Sequence, residues 1–432
     1  VDSVYVIDQY KDIWSKSNNI RTSVTYTEPI SKKLNSSLGY EYNNSKQQSV
    51  TNSFNKDGSG DYTVYDSEFS NDFDFNTQRH AINLGVNFKS EKFEWGLNNN
   101  FRNDNMFQRN NNDNIAVNRD FTTYNPNARI RYNFTKSKSL GLNYSHANNL
   151  PSLSQIQPLR QNTDPLNIIV GNESLTPAKR DNVNLYYYSY NMLKGFNVNA
   201  NVSFNQQRNS IQQNVLIDEA GVRTIMYENL TGYVANNANF WLNAGFDVLK
   251  KIKLRSGIGG NGSYSNFYNY INGELNENTN YNYALNFYLS KNSTKNVDFN
   301  LSYSPGWRTL NSSLSPERNS SGFTSSASLW YKWFLPFKLS LYGDLSYTYE
   351  APTKAFDEKF QQVLFKPGIS RKFLKGENLL VDFYVNDVFQ QNKGFRRYQS
   401  GNMITQNTYN TISRYFMLKV SWDFTSMKGG NN

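Results

Sequence analysis

Apolar and polar residues alternate with a period of two along most of this chain, and that pattern constrains the fold more than any other feature. In Phe196-Asn197-Val198-Asn199-Ala200-Asn201-Val202-Ser203-Phe204 every even position is apolar and every odd one polar. Val297, Phe299, Leu301 and Tyr303 alternate in the same way with Asp298, Asn300, Ser302 and Ser304. Leu379, Val381, Phe383 and Val385 repeat the pattern, and so do Phe416, Leu418, Val420, Trp422 and Phe424. A period of two puts one set of side chains on each face of a β-strand. The chain is therefore all-β. A soluble sandwich also alternates, but its strands run to about five or six residues, whereas many here need ten or more.

The connections carry a second regularity. Short ones fall at Ile30–Lys33, Lys89–Lys92, Thr135–Ser139, Met192–Gly195, Leu249–Lys251, Lys291–Asn296, Trp333–Phe337 and Arg371–Glu377. Between them lie longer polar stretches at 44–76, 107–118, 149–179, 206–233, 265–279, 305–320, 350–360 and 390–411. Short turns at one end and long loops at the other describe a transmembrane antiparallel up-and-down β-barrel. Eight hairpins and one final strand make seventeen strands. Residues 1–19, with Val4, Val6 and Ile7, are either an eighteenth strand or the tail of an outer loop. Single-chain bacterial barrels have even strand numbers. An odd count suggests that strands precede Val1, as part of a barrel of about 22 strands. On this reading residues 1–424 are barrel and 425–432 a short polar tail.

Composition agrees. Tyrosine (31) and phenylalanine (29) are abundant, yet the mean hydropathy is −0.72. No apolar run approaches the roughly 20 residues of a membrane helix. Aromatic girdles around a polar lumen reconcile the two figures. There is no cysteine and there are only two histidines, so neither thiolate nor histidine metal centres are expected. The net charge of +10 is scattered through turns, which argues against nucleic acid. The lysines at the short turns either meet lipid phosphates at the inner rim or simply solvate the turns. No signal peptide opens the chain. It was removed, or the chain starts inside a longer protein.

No nucleophile–histidine–acid set is legible, so no catalytic residue, metal ligand or cofactor is expected, and the ligand-binding residues stay unknown. His146 shares the apolar phase of Leu140, Leu142 and Tyr144 and reads as an interface residue. His80 reads as the start of a strand. Asp344 and Asp382 fall on the inward phase, where a polar lumen expects them. Asp57-Gly58-Ser59-Gly60-Asp61 imitates a calcium loop but lacks the later ligands, and reads as a tight turn. Arg109–Asn114 reads as loop, and tyrosines in the long loops could stack on sugars or aromatic ligands.

One stretch carries a family resemblance. Tyr144-Ser145, Leu150-Pro151-Ser152, Gln155, Pro158, Asp164-Pro165, Gly171-Asn172 and Leu175-Thr176-Pro177 stand before an alternating run. They resemble the loop of TonB-dependent receptor-like outer-membrane barrels of Bacteroidota-type bacteria, approximately R-P-S, Q-L-x-P, D-P, G-N-P-x-L-x-P-E. Tyr26-Thr27-Glu28-Pro29-Ile30 and Asn386-Asp387-Val388-Phe389 look like further family segments. Asn149-Leu150, Glu173 and Ala178 depart from the pattern, which puts ligand contacts in doubt rather than the fold. The prolines are expected to fix the loop's path over the barrel mouth.

The resemblance implies an outer-membrane location and uptake of a scarce ligand such as a siderophore, cofactor, glycan or peptide. It implies TonB and a surface lipoprotein as partners, beside outer-membrane lipid and lipopolysaccharide. The plug and TonB box that define transport are not in this sequence. A second reading is therefore a non-transporting barrel, serving as a structural or assembly subunit of an outer-membrane complex. A passive porin would leak. The aromatic finish Trp422-Asp423-Phe424 resembles the signal read by the barrel-insertion machinery.

Overall fold

The computed structural model describes residues 8–112, 114–156, 160–164, 167–219, 221–292, 296–354, 356–392, 394–400 and 403–424. Val4, Val6, Ile7, Pro158, Pro165 and the tail 425–432 lie outside the described residues. Among the described residues, seventeen strands are eight residues or longer. The first, Gln9–Pro29, holds one unbroken register with Leu34–Lys56. Residues 9–19 thus extend that strand, and are neither an eighteenth strand nor the tail of a loop. The remaining strands are short, of four to six residues, and belong to the connections.

Three of the expected long connections are strand instead. Phe93–Asn110 and Ile115–Thr135 leave only residues 111–114 between them, so Arg109 and Asn110 are strand rather than loop. Phe196–Ile217 and Arg223–Leu249 leave 218–222. Leu254–Ile271 and Glu274–Lys291 leave 272–273. There Asn272 and Gly273 both have positive φ (51° and 79°), the geometry that suits a two-residue hairpin and favours Asn-Gly. These tall hairpins are rich in Asn, Gln and Tyr, so apolar periodicity fades while the backbone ladder continues. A ladder needs N–H and C=O groups, not apolar side chains.

The chain divides into two compact units. In the first, Gln9–Pro29, Leu34–Lys56, Asn71–Lys89, Phe93–Asn110, Ile115–Thr135 and Lys138–Asn149 pair antiparallel, each with the next. In the second, the strands from Glu274–Lys291 through Val297–Ser312, Ser320–Leu335, Leu339–Glu350, Phe360–Phe373 and Leu379–Asn386 do the same. The last strand, Tyr415–Trp422, pairs with Leu379–Asn386. The residues between them carry their own hairpin, Phe395–Ser400 with Met403–Thr408.

Among the described residues, neither unit has the apolar core of a soluble domain. The apolar phase is exposed along its length, including Leu38, Ile82, Leu84, Leu97, Ile130 and Leu142 in the first unit and Leu285, Leu301, Trp333 and Ile369 in the second. Few large apolar side chains are fully buried; Phe73, Ile156, Leu175 and Leu230 are among them. Leaving so much apolar surface in water would cost about 25 cal/mol per Å². Only a lipid environment removes that cost.

Girdles do not account for all the tyrosine. Tyr186 lies over Gly141 of the adjoining strand, and Tyr342 lies over Gly368, where a Cβ would sit within 2.3 Å of the phenol. These rings stand on the polar face and need a bare backbone beneath them. Such aromatic cover compensates for glycine's missing side chain within a strand.

At the short turns the backbone is strained. Phe337, 78 % exposed, and Leu374 hold φ of 61° and 70°, where a side chain costs about 1–2 kcal/mol. Phe337→Gly is expected to raise stability by about 0.5–1 kcal/mol in urea unfolding from detergent; a loss would show that the ring contributes more than the strain. Beside it, Lys338 and Lys372 flank Glu377 at 3.3 and 3.4 Å. Hydrogen bonds from Lys338 and then Lys372 hold the Glu377 carboxyl below its ordinary range. A depressed carboxylate stabilises the fold above the ordinary carboxylate pKa and ceases to do so as pH falls through the depressed value. Wild type and Glu377→Gln should therefore differ in unfolding midpoint at neutral pH and converge in acid.

Candidate functional site

The polar face of the first unit is the surface a ligand would meet, since in a membrane barrel the apolar phase faces lipid and the polar phase the lumen. Register places Arg79 opposite Asp104 and Arg102 opposite Thr123, all on that face. Arg79 Nε donates to Asp104 Oδ1 at 2.6 Å, and Arg102 Nε lies 2.5 Å from Oδ2. Asp104 is 0 % exposed, against 33 % for Arg79 and 17 % for Arg102. One buried carboxylate thus serves two guanidiniums. Around them runs a lattice of carboxamides. Asn100 donates to Asn83 at 2.7 Å and Asn125 to Asn100 at 3.3 Å. Asn98 donates to Asn127 at 3.2 Å, and Arg129 to Asn87 at 3.0 Å.

Above the triad the same face turns apolar. Phe121 stands opposite Asp104, and Met106 opposite Arg119. Phe75, Phe121 and Met106 receive Ile156 and Leu175 from the stretch 150–177, together with Leu150, Ile211 and Tyr227. That stretch, expected as a shaped loop, holds a turn of helix at Leu153–Ile156 and a short strand at Asn167–Val170. The strand pairs parallel with Arg223–Met226, and a second parallel pairing joins Asn214 and Val215 to Tyr270 and Ile271.

The motif residues tie the stretch down, and most of the bonds come from residues other than proline. Gln155 Oε1 accepts from the Ser152 N–H at 2.9 Å. Asn172 donates to the Tyr227 carbonyl at 2.8 Å. Asn229 accepts from the Thr176 N–H at 2.7 Å and donates back to its carbonyl at 2.9 Å. Asn209 donates to the Pro177 carbonyl at 3.0 Å. Of the prolines, Pro151 is buried. Asn209 and Asn229 are missed by sequence reasoning because they lie in 206–233, a stretch read as loop.

The departures now have places. Arg119 Nε donates to the Glu173 carbonyl at 3.2 Å and its guanidinium stands 4.0 Å from the Glu173 carboxylate. Ala178 is buried at the first position of the next strand, Ala178–Asn191, where a glutamate would be desolvated. The later motif works similarly. The buried Asp387 accepts from the Gln391 and Asn392 N–H groups at 3.1 and 2.9 Å and fastens the start of the last long connection.

The other singled-out residues are structural. His80 lies inside the strand Asn71–Lys89 rather than at its start, with Nδ1 2.7 Å from the Tyr40 hydroxyl. His146 does not stand alone at an interface: Asp181 Oδ1 meets its Nδ1 at 2.8 Å and the Tyr144 hydroxyl at 2.9 Å, while Arg208 holds Oδ2 at 2.7 Å. This network joins the strands on either side of the 150–177 stretch. Asp382 accepts from Tyr342 at 2.6 Å, and Asp344 faces Lys366 across the ladder. Asp57 accepts from Ser59 Oγ at 2.6 Å, from the Ser59 and Asp61 N–H groups at 2.9 and 3.1 Å, and from Thr63 Oγ1 at 2.5 Å. Those bonds, Ser59's hydroxyl foremost, press its carboxyl below the ordinary range. These contacts fold residues 57–63 back onto the Asp57 carboxylate.

A family model described as the outer membrane protein beta-barrel family matches residues 6–281 and 274–422. The chain belongs to that family. It is an outer-membrane β-barrel of the transmembrane, antiparallel, up-and-down class, and not an enzyme. No curated protein matches it. Among solved structures it is similar to the ferric-catecholate import receptor Fiu of E. coli, at 13% identity and a TM-score of 0.41, over 94% of this chain and 64% of that one. It is similar to the siderophore receptor PiuA of Acinetobacter baumannii, at 11% and 0.39, over 94% and 64%. The ferric enterobactin receptor PfeA of Pseudomonas aeruginosa follows at 11% and 0.35, over 94% and 70%. The chain thus spans under two thirds of the length of Fiu and PiuA.

Proposed function

We propose that this barrel is the membrane portion of an energised receptor that takes up a scarce ligand across the outer membrane. The observation that carries the reading is the polar face of the first unit, with its arginines and asparagines, overlaid by the tied-down stretch 150–177. A wall of donors beneath a shaped, fastened cover suits capture of a polar solute better than passive leakage. Energy would come from TonB acting on a plug outside this sequence, and a surface lipoprotein would help present the ligand. A siderophore, cofactor, glycan or peptide fits this scheme.

The test is growth of a strain lacking the protein on limiting iron, cobalamin or single glycan and peptide sources. A defect on one source, reversed by re-expression, is the expected result. Unchanged growth and uptake on every source would leave the scaffold role in its place. For biogenesis, the Trp422 and Phe424 rings meet at a tilt with centroids 4.7 Å apart and both are exposed, which supports recognition of the last strand by the insertion machinery. Replacing both with serine should leave the protein unfolded in the periplasm, as judged by loss of heat-modifiable mobility on gels.

A further inference from the structure

We infer that the polar face of the first unit selects anionic ligands, an assignment that rests on the uptake reading above. Register places Arg21, Arg79, Arg102, Arg129, Arg131 and Arg180 on this face. Among the carboxylates that register places on it are Glu41, Glu94 and Asp104. Glu41 pairs with Arg21 at 2.7 Å, Glu94 stands opposite Arg131, and Asp104 is divided between Arg79 and Arg102. Cation therefore exceeds anion along the face.

The excess is concentrated at exposed positions. Arg129 and Arg180 are exposed, and their hydrogen bonds go to carboxamides: Asn87 at 3.0 Å and Asn205 at 3.1 Å. A carboxamide oxygen occupies one N–H without neutralising the guanidinium, so charge and donors remain for a solute. The polar face of the second unit is arranged differently. There Asp298 stands opposite Lys332, Asp344 opposite Lys366 and Asp382 opposite Lys419, so at these three rungs opposite charges cancel, while Arg308 stands opposite Asn282. Arginine forks set among asparagine amides present the donor geometry that carboxylate, phosphate and sulfate oxygens accept. Low-dielectric walls make such an excess act on approaching ions more strongly than the same charges would in open water.

The experiment uses the full chain in neutral detergent, with inositol hexakisphosphate as anionic probe and myo-inositol as its uncharged counterpart, by titration calorimetry. The expected result is saturable binding of the phosphate probe, none of myo-inositol, and a loss of about tenfold in affinity for Arg129→Gln/Arg180→Gln. Lys332→Gln/Lys366→Gln removes the same charge from the second unit, where Lys332 stands opposite Asp298 and Lys366 opposite Asp344, and should change affinity less than about twofold. Because both arginines are exposed, their loss leaves no buried charge unpaired, and heat-modifiable gel mobility confirms folding. Absence of phosphate-probe binding, equal losses in the two double variants, or equal binding of myo-inositol would each overturn the assignment. So would a face that holds an acidic polypeptide such as polyglutamate but not the small probe, since that describes protein docking. Uptake of a neutral nutrient with no binding of the phosphate probe would leave the receptor reading intact and remove only the anion assignment.

Discussion

Asp104→Ala is expected to destabilise the barrel by about 2–4 kcal/mol. The carboxylate is fully buried between Arg79 and Arg102, with Phe121 opposite it on the neighbouring strand. Removing it leaves two guanidiniums facing each other in a site that water barely reaches. Breaking a buried pair from one side costs about 3–5 kcal/mol because the surviving charge is uncompensated. The lower figure applies here because Arg79 is one third exposed and can turn part of its charge toward water. Arg102 has less freedom, since it also donates to the Asn148 carbonyl at 3.2 Å. Urea unfolding in detergent, followed by tryptophan fluorescence, reads the change directly. Arg79→Gln, which leaves Asp104 paired with Arg102, should cost clearly less. Equal costs for the two variants would show that the carboxylate does not serve both arginines.

The second large effect is local. Leu175→Ala removes a fully buried side chain that clusters with Ile156 of the same stretch and joins the stretch to Met106 of the sheet. Large-to-small changes at such sites cost about 2–5 kcal/mol, and here the loss falls on the attachment of one segment rather than on the sheet. Hydrogen exchange across 150–177 should therefore accelerate by about one to three orders of magnitude, while the ladder of Phe93–Asn110 with Ile115–Thr135 stays protected. Asn229→Ala, which loses the paired bonds to Thr176, should loosen the same stretch by a smaller factor, about 1–2 kcal/mol. Uniform acceleration across the sheet would mean that the stretch is part of the global fold and not a separately fastened cover.

Much of this was legible in the residues. Alternation in 196–204, 297–304 and 416–424 requires strands with one apolar face, and the exposure of that face requires lipid. The short turns fall where lysines interrupt the pattern. The loop motif Gly171-Asn172…Leu175-Thr176-Pro177 marks the family, which the match across residues 6–422 shows. The upper halves of the hairpins were not legible. In 206–233 and 265–279 the ladder continues through asparagine and glutamine, which bring no apolar rhythm, and strand pairing is a property of two backbones rather than of one sequence window.

The candidate site divides along the same line. A period of two assigns Arg79, Arg102, Arg129 and Asp104 to the polar face without any structure. It does not say which residues of neighbouring strands meet, because register depends on turn geometry and on the partner. Asp104 as the shared counter-ion of two arginines, Asn229 as the clasp on Thr176, and Asp181 as the anchor for His146, Tyr144 and Arg208 all depend on which strands meet and in what register. The sequence by itself determined that this chain is a membrane barrel with a polar interior face. The tertiary structure alone decided where that face is charged, where it is apolar, and that the stretch from 150 to 177 is fastened onto it.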